Sequence, residues 1–425
     1  MKNRFSLAAA TALTALGVLS VTPVNTSASS AHAANVTLNV VGATNELTNA
    51  TRIYEKLYPN VKVNIINANW GIGGKDTRDK ELILMSSGQS LDVIKMVWGK
   101  AFFRQGVLTD LTNQVKTWPI YKNYTSGQKQ RITYNGKIYG ITTSNNTIFM
   151  YYNKTILAKI HAQLPKTLRD VSNIARAIKA AHLKTAKGLP IFATSFEGGN
   201  WATDYWVWAN GGDLMTPNYK TTLIDSSKDI AAYTYMQDFI KNGEAPKVDG
   251  TYDAAWLNGQ IALMPIGVWE YNASVTAKLN FGMTTMPVGP GGNDVSIGGV
   301  EYGIPVQSAH KTEALNFLKV LISRATDFQQ DQTGQGEPAN PALYNDPQFR
   351  AAWKKVGLLN AMMVQQQQLK HARYNFLEAP FIFPDGATAY NNALSAVLTN
   401  LANPAATMKT AAQTIDQGIA TASQG

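Results

Sequence analysis

Bulky aromatic and polar side chains follow the first strands of the predicted sheet. Asn45 and Glu46 come after the first predicted strand, and Trp98 comes after the third. In a parallel sheet, ligands bind beyond the carboxyl ends of the strands, where such loops lie. A tryptophan at a loop tip exposes a large apolar ring unless another group covers it. The pattern therefore predicts a cleft for a small ligand, with Asn45 and Trp98 on its rim.

A second concentration of aromatic residues occupies residues 197–208, with the sequence EGGNWATDYWVW. A helix here would direct Trp201 and Asn200 to different faces, because successive residues lie about 100° apart. The glycine pair before this helix lets a ligand approach the backbone closely. We expect Trp201 and Asn200 to contact a ligand, and Trp206 and Trp208 to pack in the core.

The elements that would position these residues alternate between strands and helices. Residues 36–41 and 61–66 have strand patterns, and residues 91–96 form a short apolar run typical of a buried strand. Helical periodicity lies between them, at residues 50–58 and 79–87. The order β-α-β-α-β predicts a parallel sheet with helices on its faces, which is an α/β fold.

The rest of the chain continues in the same style. Thr167 is placed to cap a helix, and apolar runs at 191–193, 261–264 and 281–286 indicate further strands. The tail from Asn391 is rich in alanine and is predicted to be helical, with an interruption at Pro404.

The N-terminus has the pattern of a secretory signal peptide. Lys2 and Arg4 precede an apolar run at 5–21, and Ala-His-Ala at 31–33 fits a signal-peptidase site. The apolar run is shorter than the roughly 20 residues that a membrane span requires. We therefore expect a signal peptide at 1–33, cleaved after Ala33, and a mature protein that is periplasmic or extracellular at the cell wall.

Composition excludes several classes of site. The 425 residues include no cysteine, which rules out disulfides, thiolate metal ligands and a cysteine-linked lipid anchor on this sequence. The net charge is +10, and cleavage would remove Lys2 and Arg4 to leave +8. The cations are scattered rather than clustered, so we expect no nucleic-acid partner.

The sequence lacks the common catalytic and cofactor-binding motifs. The four histidines after residue 33 do not have a zinc spacing, and there is no G-x-S-x-G elbow and no phosphate-binding P-loop. Residues 71–74, GIGG, lack the full spacing of a dinucleotide-binding loop. We expect no enzymatic activity, no catalytic residues, no metal and no cofactor.

A series of short motifs resembles the solute-binding proteins of ABC importers, specifically the sugar-binding family that includes maltose-binding protein. The motifs occur in the family's order and span much of the chain, and Leu91 replaces the usual proline in the second. They are YEKLYPNVKV at 54–63, SGQSLDV at 87–93, GVLTDL at 106–111, NGKIYG at 135–140, YYNK at 151–154, WANGGD at 208–213 and GVW at 267–269.

The resemblance implies a two-lobed periplasmic-binding-protein fold, type II-like, with a hinge between the lobes. Crossings between lobes are expected near Ser144, Met283 and Tyr344. Lobe one would then comprise residues 34–144 and 284–344, and lobe two residues 145–283 and 345–425. The lobes would close around a carbohydrate and deliver it, as a monomer, to a membrane permease.

The resemblance also implies roles for individual residues. Trp269 matches a tryptophan that stacks on the apolar face of a sugar ring, and Glu270 follows it directly. Four residues fall at positions that line the cleft in the family, namely Trp98, Asn45, Trp201 and Asn200. The alternative is that their side chains pack in the core or lie on the surface without contacting a ligand. Tyr390 is expected to supply a second stacking ring.

Three further polar residues are candidates for binding the hydroxyl groups of a ligand. Asn145 and Asn146 sit at the first implied crossing, where an amide both donates to and accepts from hydroxyl groups; the alternative is a plain turn. Glu301 follows Gly298-Gly299 and is expected to accept hydrogen bonds from two ligand hydroxyl groups. The alternative is that Glu301 is an ordinary surface carboxylate without a ligand role.

Two other functions remain open at this stage. A site for a cationic solute such as a polyamine would use several carboxylates among the aromatics, and Glu197, Asp204, Glu270 and Glu301 supply such a set. A secreted glycoside hydrolase would need two carboxylates flanking the bond, for which Glu270 and Glu301 are the candidates.

Overall fold

The computed structural model describes residues 35–422, apart from 69–74, 98, 198, 249–251, 332–336 and 375–384. The predicted signal peptide and Trp98 lie outside the described residues. The first part of the chain contains β1 Val36–Gly42, α1 Thr44–Leu57, β2 Val61–Asn67, α2 Lys75–Ser86, β3 Ile94–Lys95, α3 Gly99–Arg104, α4 Thr112–Val115, α5 Pro119–Asn123, α6 Ser126–Ile132, β4 Thr133–Tyr134, β5 Lys137–Ile138 and β6 Gly140–Thr142.

The second part contains β7 Phe149–Asn153, α7 Lys154–Lys159, α8 Leu168–Ala180, β8 Phe192–Thr194, α9 Asn200–Ala209, α10 Ser227–Lys241, α11 Tyr252–Leu257, β9 Ile261–Ile266, a 3₁₀ helix Val268–Glu270, α12 Tyr271–Thr276 and β10 Phe281–Thr284. The last part contains β11 Val295–Ser296, β12 Glu301–Gly303, α13 Lys311–Leu321, α14 Arg324–Asp331, a 3₁₀ helix Pro341–Asn345, α15 Pro347–Lys355, α16 Leu359–Gln368, a 3₁₀ helix Leu369–His371, β13 Ala372–Arg373, α17 Asp385–Leu398 and α18 Pro404–Ala422.

The predicted opening β-α-β-α-β is confirmed. Strands β1 and β2 pair in parallel over their full length, from Val36 opposite Val61 to Gly42 opposite Asn67. The predicted third strand is shorter than expected: β3 is two residues long, and Val93 before it forms a parallel bridge with Val40. Strand β12, from much later in the chain, lies antiparallel between β3 and β6.

A first hydrophobic core surrounds this sheet. Its members include Leu38 and Val40 on β1, Ile141 on β6, Tyr302 on β12 and Phe317 on α13. The contributing residues come from 38–141 and 302–339, so two separate stretches of chain build one core. The alternating apolar residues of β1 face it, which is why the sequence pattern identified that strand.

A second sheet has the order β10-β7-β9-β8, in which β8 and β9 run parallel and the other pairs antiparallel. One side of it carries a second core, built with α8, α9, α10, α17 and α18. The other side carries a third core, which includes Tyr151, Trp256, Trp353 and Met362.

The predicted cap at Thr167 is confirmed. Its hydroxyl accepts the N–H of Asp170, and the Asp170 carboxylate accepts the N–H of Thr167, which together form a capping box. The apolar face of α8 that follows, including Val171 and Ile174, is buried in the second core.

The chain passes between the hydrophobic cores at three places. The first passage lies between Ile141 of the first core and Ile148 of the second, on either side of Ser144. Beyond Met283 the chain stays with the second core, to which Met286 and Val295 belong, and it enters the first core at Tyr302. The apolar run 281–286 resembles a departing strand, but the Gly/Pro-rich segment after it folds back: the Tyr205 hydroxyl donates to the Pro287 carbonyl, at 2.7 Å.

The third passage lies between Ala339 of the first core and Leu343 of the third core. The expected crossing was at Tyr344, which itself packs in the third core. Membership of the cores changes near residues 298 and 340, and the lobe boundaries expected at 284 and 344 stay predictions.

Candidate functional site

All three passages are joined at Asn146. Its backbone N–H donates to the Gly298 carbonyl at 3.2 Å, and the Gly298 N–H donates to the Asn146 carbonyl at 2.8 Å. Its side-chain Nδ2 donates to Glu337 Oε2 at 2.5 Å. Ser144 and Pro338 form a neighbouring bridge between the first and third passages. Any rotation of one core relative to another must therefore bend the chain around this junction.

Two tryptophan rings lie beside the junction. Trp201, at the start of α9, and Trp269, in the short 3₁₀ helix after β9, have ring centroids 5.5 Å apart and planes inclined at 46°. Trp269 is 46% exposed, which is unusual for a tryptophan, and Trp201 is partly buried. The two rings form one partly open aromatic surface, and the expected contact of each with a ligand stays a prediction.

Two glycines allow these rings to lie flat against the chain. A Cβ atom on Gly298 would fall 2.8 Å from Trp201 Cζ2 and 2.1 Å from Asn146 Oδ1. A Cβ atom on Gly267 would fall 2.0 Å from the Trp269 ring. Each ring therefore occupies space that any other residue would need, and Gly298 places the Trp201 ring directly against the junction.

Carboxyl groups near the rings are held in surroundings that favour their neutral form. Burial raises the pKa of Glu197 to about 7, and the charge of Asp253 adds to the effect. Burial likewise raises the pKa of Glu270 to about 7, again with a contribution from Asp253. Burial and the charge of Glu46 raise the pKa of Glu337 to about 7, against the opposing hydrogen bond from Asn146. At neutral pH these groups are divided between neutral and ionised forms.

Glu270 itself is buried, at 5% exposure, and its Oε1 has no hydrogen-bond partner within the described part of the chain. The hydroxyl of Tyr151 is similarly buried and unpaired there, and the negative charge of Glu270 helps raise the pKa of that tyrosine, after burial itself. The carboxyl group is thus buried close to Tyr151 of the third core.

Two expected ligand residues are placed in the interior instead. Tyr390 was expected to supply a second stacking ring, but it is fully buried in the second core and its hydroxyl lies 3.1 Å from that of Tyr233. Asn200 is also buried, and its Nδ2 donates to Asp204 Oδ2 at 3.2 Å. All residues of α9 except Trp201 are buried, so Asn200 has no exposed face available there, and Tyr390 lies on the buried side of α17.

The two adjacent asparagines at the first passage differ. Asn145 is fully buried, and neither atom of its amide has a hydrogen-bond partner among the described residues. Asn146 is partly buried and makes the junction contacts. Of the pair, Asn146 is the one that borders the aromatic surface.

Glu301 has an internal partner that its sequence context did not indicate, and its expected contact with a ligand stays a prediction. It was expected to accept hydroxyl donors, but Arg131 Nε and Nη2 donate to its two carboxylate oxygens at 2.6 and 2.8 Å. Arg131 also donates to the carbonyl of Ile297, at 3.3 Å. Both oxygens of Glu301 are therefore committed to an internal ion pair. The two residues are 170 positions apart, so nothing in the local sequence signalled the pairing.

On the rim of the first core, Asn45 is exposed on the first turn of α1. Its neighbour Glu46 makes the contacts there. Lys95 Nζ donates to both Glu46 oxygens at 2.8 Å, and the Tyr302 hydroxyl donates to Oε2 at 2.9 Å. The sequence does contain a sign of this ion pair: Lys95 lies within the apolar run 91–96, and a buried cation needs an anionic partner.

The arrangement suits recognition of an uncharged molecule with an apolar face. Such sites are mainly aromatic, with a few polar groups that fix the orientation of the ligand. In the described part of the chain no group of three or more His, Asp or Glu residues could hold a metal ion. Within the same residues, no helix is both long and apolar enough to cross a membrane.

Comparisons with known proteins agree with this geometry. A sequence model of the family described as "Bacterial extracellular solute-binding protein" matches residues 37–327. A maltooligosaccharide ABC transporter solute-binding lipoprotein of Streptococcus pneumoniae is 26% identical over 223 residues, 48% of this chain and 50% of the relative. The matched stretch thus spans only half of that relative. A galactooligosaccharide-binding protein of Bacillus subtilis is 24% identical over 305 residues, 68% of each chain.

Among solved structures, the chain is similar to an ABC substrate-binding protein from Listeria monocytogenes in complex with cycloalternan. The TM-score is 0.77 at 17% identity, over 91% of this chain and 99% of that one. At this identity the likeness concerns the fold. The predicted α/β fold with two lobes is confirmed by it.

Proposed function

Because the chain belongs to the family of bacterial extracellular solute-binding proteins, we propose that it captures a carbohydrate between its lobes and delivers it to the permease of an ABC importer. The ligand is of oligosaccharide size. The observation that carries this proposal is the partly open ring pair of Trp201 and Trp269 beside the Asn146 junction. The relatives named for maltooligosaccharide and galactooligosaccharide support the same class of ligand.

The proposed division into lobes follows the hydrophobic cores. Lobe one comprises about residues 35–144 and 300–339, and lobe two about residues 145–298 and 341–422. Hinge closure would bend the three passages around Asn146, because they are hydrogen-bonded to each other there. Gln130 of α6 donates to the Tyr219 hydroxyl at 3.4 Å, which is a contact between the proposed lobes outside the hinge.

In the proposed complex the two rings cover the C–H face of a sugar, and polar groups bind its hydroxyl rim. An amide such as that of Asn146 both donates and accepts, so it fits a hydroxyl group in either sense. Glu197 acts as an acceptor, and in its protonated form as a donor. Lobe closure would then remove this rim from water, which strengthens each hydrogen bond.

The alternative of a cationic ligand loses part of its basis in the structure. Of the four carboxylates that it invoked, Glu301 is neutralised by Arg131, and Asp204 is fully buried. The pKa of Asp204 is raised well above its usual range, chiefly by burial. The hydrolase alternative also depended on Glu301, whose oxygens both accept from Arg131. We therefore propose a binding role without catalysis.

The test is a ligand titration of the chain from Ala34 onward, followed by tryptophan fluorescence and melting temperature. The panel contains maltose, maltotetraose, a galactooligosaccharide and spermidine. We expect saturable binding of an oligosaccharide, a rise in melting temperature from preferential binding to the native state, and no cleavage product. A response to spermidine alone, or turnover of the sugar, would contradict the proposal.

Trp269→Ala probes the ring pair, and Val275→Ala is its control. Both side chains are about half exposed and belong to the same segment after β9. Loss of the Trp269 ring should reduce sugar affinity about 30-fold, or about 2 kcal/mol. Val275→Ala should leave the affinity unchanged. Equal affinities in the two variants would remove Trp269 from the site.

Cleavage after Ala33, delivery outside the cytoplasm and a monomeric state belong to the same proposal. Mass spectrometry of the secreted chain should find an N-terminus at Ala34. Light scattering should give one copy of the chain, with and without sugar. A retained leader or a stable dimer would contradict these parts alone.

A further inference from the structure

The side chain of Glu337 fixes the direction in which the Asn146 amide points. Asn146 Nδ2 donates to Glu337 Oε2, so Oδ1 is turned to the other side, against Gly298 and near the Trp201 ring. The backbone of Glu337 is anchored as well, because its carbonyl accepts the N–H of Asn145 at 3.4 Å. We propose that Glu337 is a positioning residue that sets whether Asn146 presents an acceptor or a donor to the sugar. This inference rests on the proposed function.

The physical basis is the difference between a carboxylate and a carboxylic acid. An ionised Glu337 can only accept, so it selects the amide orientation in which Nδ2 faces it. A protonated Glu337 can also donate, and it then allows the amide to turn so that Oδ1 faces it. In the first state Asn146 offers an acceptor beside the rings, and in the second it offers the Nδ2 donor.

The surroundings of Glu337 bring both states into the neutral pH range. Burial, with an addition from the like charge of Glu46 on α1, raises the pKa of Glu337 to about 7 against the hydrogen bond from Asn146. The cations of the surrounding elements have other partners: Lys95 on β3 pairs with Glu46, and Arg131 on α6 pairs with Glu301 on β12. Among the described residues, no lysine or arginine forms an ion pair with Glu337.

The sign of the effect on binding follows from linkage. A sugar hydroxyl that donates to Asn146 Oδ1 stabilises the orientation that goes with ionised Glu337. Binding then lowers the pKa of Glu337, and affinity increases as the pH rises through 7. We expect maltotetraose to bind about fivefold more tightly at pH 8 than at pH 6, since a modest pKa change gives a change of this order.

Two variants separate positioning from titration, and maltotetraose is the probe. Glu337→Gln keeps an acceptor for Asn146 Nδ2 but cannot ionise, so affinity at pH 8 should stay within about threefold of the original and the ratio between pH 8 and pH 6 should shrink. Glu337→Ala loses the acceptor and should lower affinity about tenfold at pH 8. Asp238→Asn, on the exposed face of α10, is the control and should preserve affinity and its pH ratio. An unchanged pH ratio in Glu337→Gln would overturn the proposal.

A measurement without sugar distinguishes failure of this inference from failure of the proposed function. The side-chain amide signals of Asn146 are followed by NMR in a chain labelled with ¹⁵N-asparagine and are assigned with Asn146→Ser. They should shift with a midpoint near pH 7, and Glu337→Gln should abolish that shift. If maltotetraose does not bind but the shift occurs, the choice of sugar is wrong and the Glu337–Asn146 relationship stands. If the signals do not titrate, Glu337 does not control the amide.

Discussion

Arg131 on α6 makes a two-pronged ion pair with Glu301 on β12, with N–O distances of 2.6 and 2.8 Å. The two side chains are 9% and 5% exposed. Arg131 also donates to the Ile297 carbonyl, so it fastens the second passage to lobe one immediately before the junction at Gly298. The pair therefore links β12 and the second passage to α6, and each carboxylate oxygen already accepts one hydrogen bond within the chain.

Removing one partner of this ion pair should destabilise the folded protein. Glu301→Gln leaves a buried guanidinium without a counter-charge, and Arg131→Met leaves a buried carboxylate, so each should reduce the free energy of unfolding by about 3–5 kcal/mol. The double variant should lose less than the sum of the two, because neither charge is then isolated. Urea unfolding of the four proteins measures this coupling. Strictly additive losses would show that the ion pair has no net energetic role.

Tyr390 should affect stability and not sugar binding. Its hydroxyl pairs with that of Tyr233 inside the second core. Tyr390→Phe removes this hydrogen bond and should lower the free energy of unfolding by about 1 kcal/mol, with unchanged affinity for maltotetraose. Tyr233→Phe is the matched variant and removes the same bond from the other side. A loss of affinity confined to Tyr390→Phe would restore the expected stacking or contact role of this residue.

Stability should decrease as the pH rises from about 5 to 8. The pKa of Glu270 is raised from 4.5 to about 7 by burial, so the folded protein binds this proton more tightly than the unfolded chain. The stabilisation is complete below pH 4.5 and is lost as the pH rises to about 7. The free energy of unfolding should therefore fall by about 2 kcal/mol less between pH 5 and pH 8 in Glu270→Gln than in the original protein. Thermal unfolding at pH 5 and pH 8 measures it, with exposed Asp238→Asn as the control; parallel curves for the original and Glu270→Gln proteins would contradict the assignment.

The parts of the fold that were predicted correctly are those specified by local sequence. The alternating residues of β1, the capping position of Thr167 and the breaks around Pro404 depend on neighbours a few positions away. The periodicity of apolar side chains indicates which face of an element is buried, and it therefore predicts where helices and strands lie. The same reasoning placed the aromatic stretch 197–208 on a helix, now α9, with Trp206 and Trp208 in the core.

The parts that were missed depend on contacts between distant segments. Asn146 and Glu337 are 191 residues apart, and Arg131 and Glu301 are 170 apart, so only the folded chain brings them together. The second passage was placed near Met283 because an apolar strand ends there. The return of residues 287–295 to the second core depends on packing against α9, which a linear pattern does not contain.

Gly298 is the residue that keeps the aromatic surface and the hinge junction in contact. An added Cβ would lie 2.1 Å from Asn146 Oδ1 and 2.8 Å from Trp201 Cζ2. In Gly298→Ala the amide and the ring must therefore move apart, at a cost of about 1–3 kcal/mol in the free energy of unfolding. Because both groups belong to the proposed site, affinity for maltotetraose should also fall, by about tenfold or more.

Gly418→Ala is the matched control for this prediction. Gly418 lies within α18, and an added Cβ there would meet nothing within 4 Å. Alanine at this helical position should raise the free energy of unfolding by about 0.5–1 kcal/mol and leave affinity unchanged. Calorimetric titration and urea unfolding of both variants decide the matter. If Gly298→Ala binds maltotetraose as tightly as Gly418→Ala does, the contact between Trp201 and the junction is not part of the binding site.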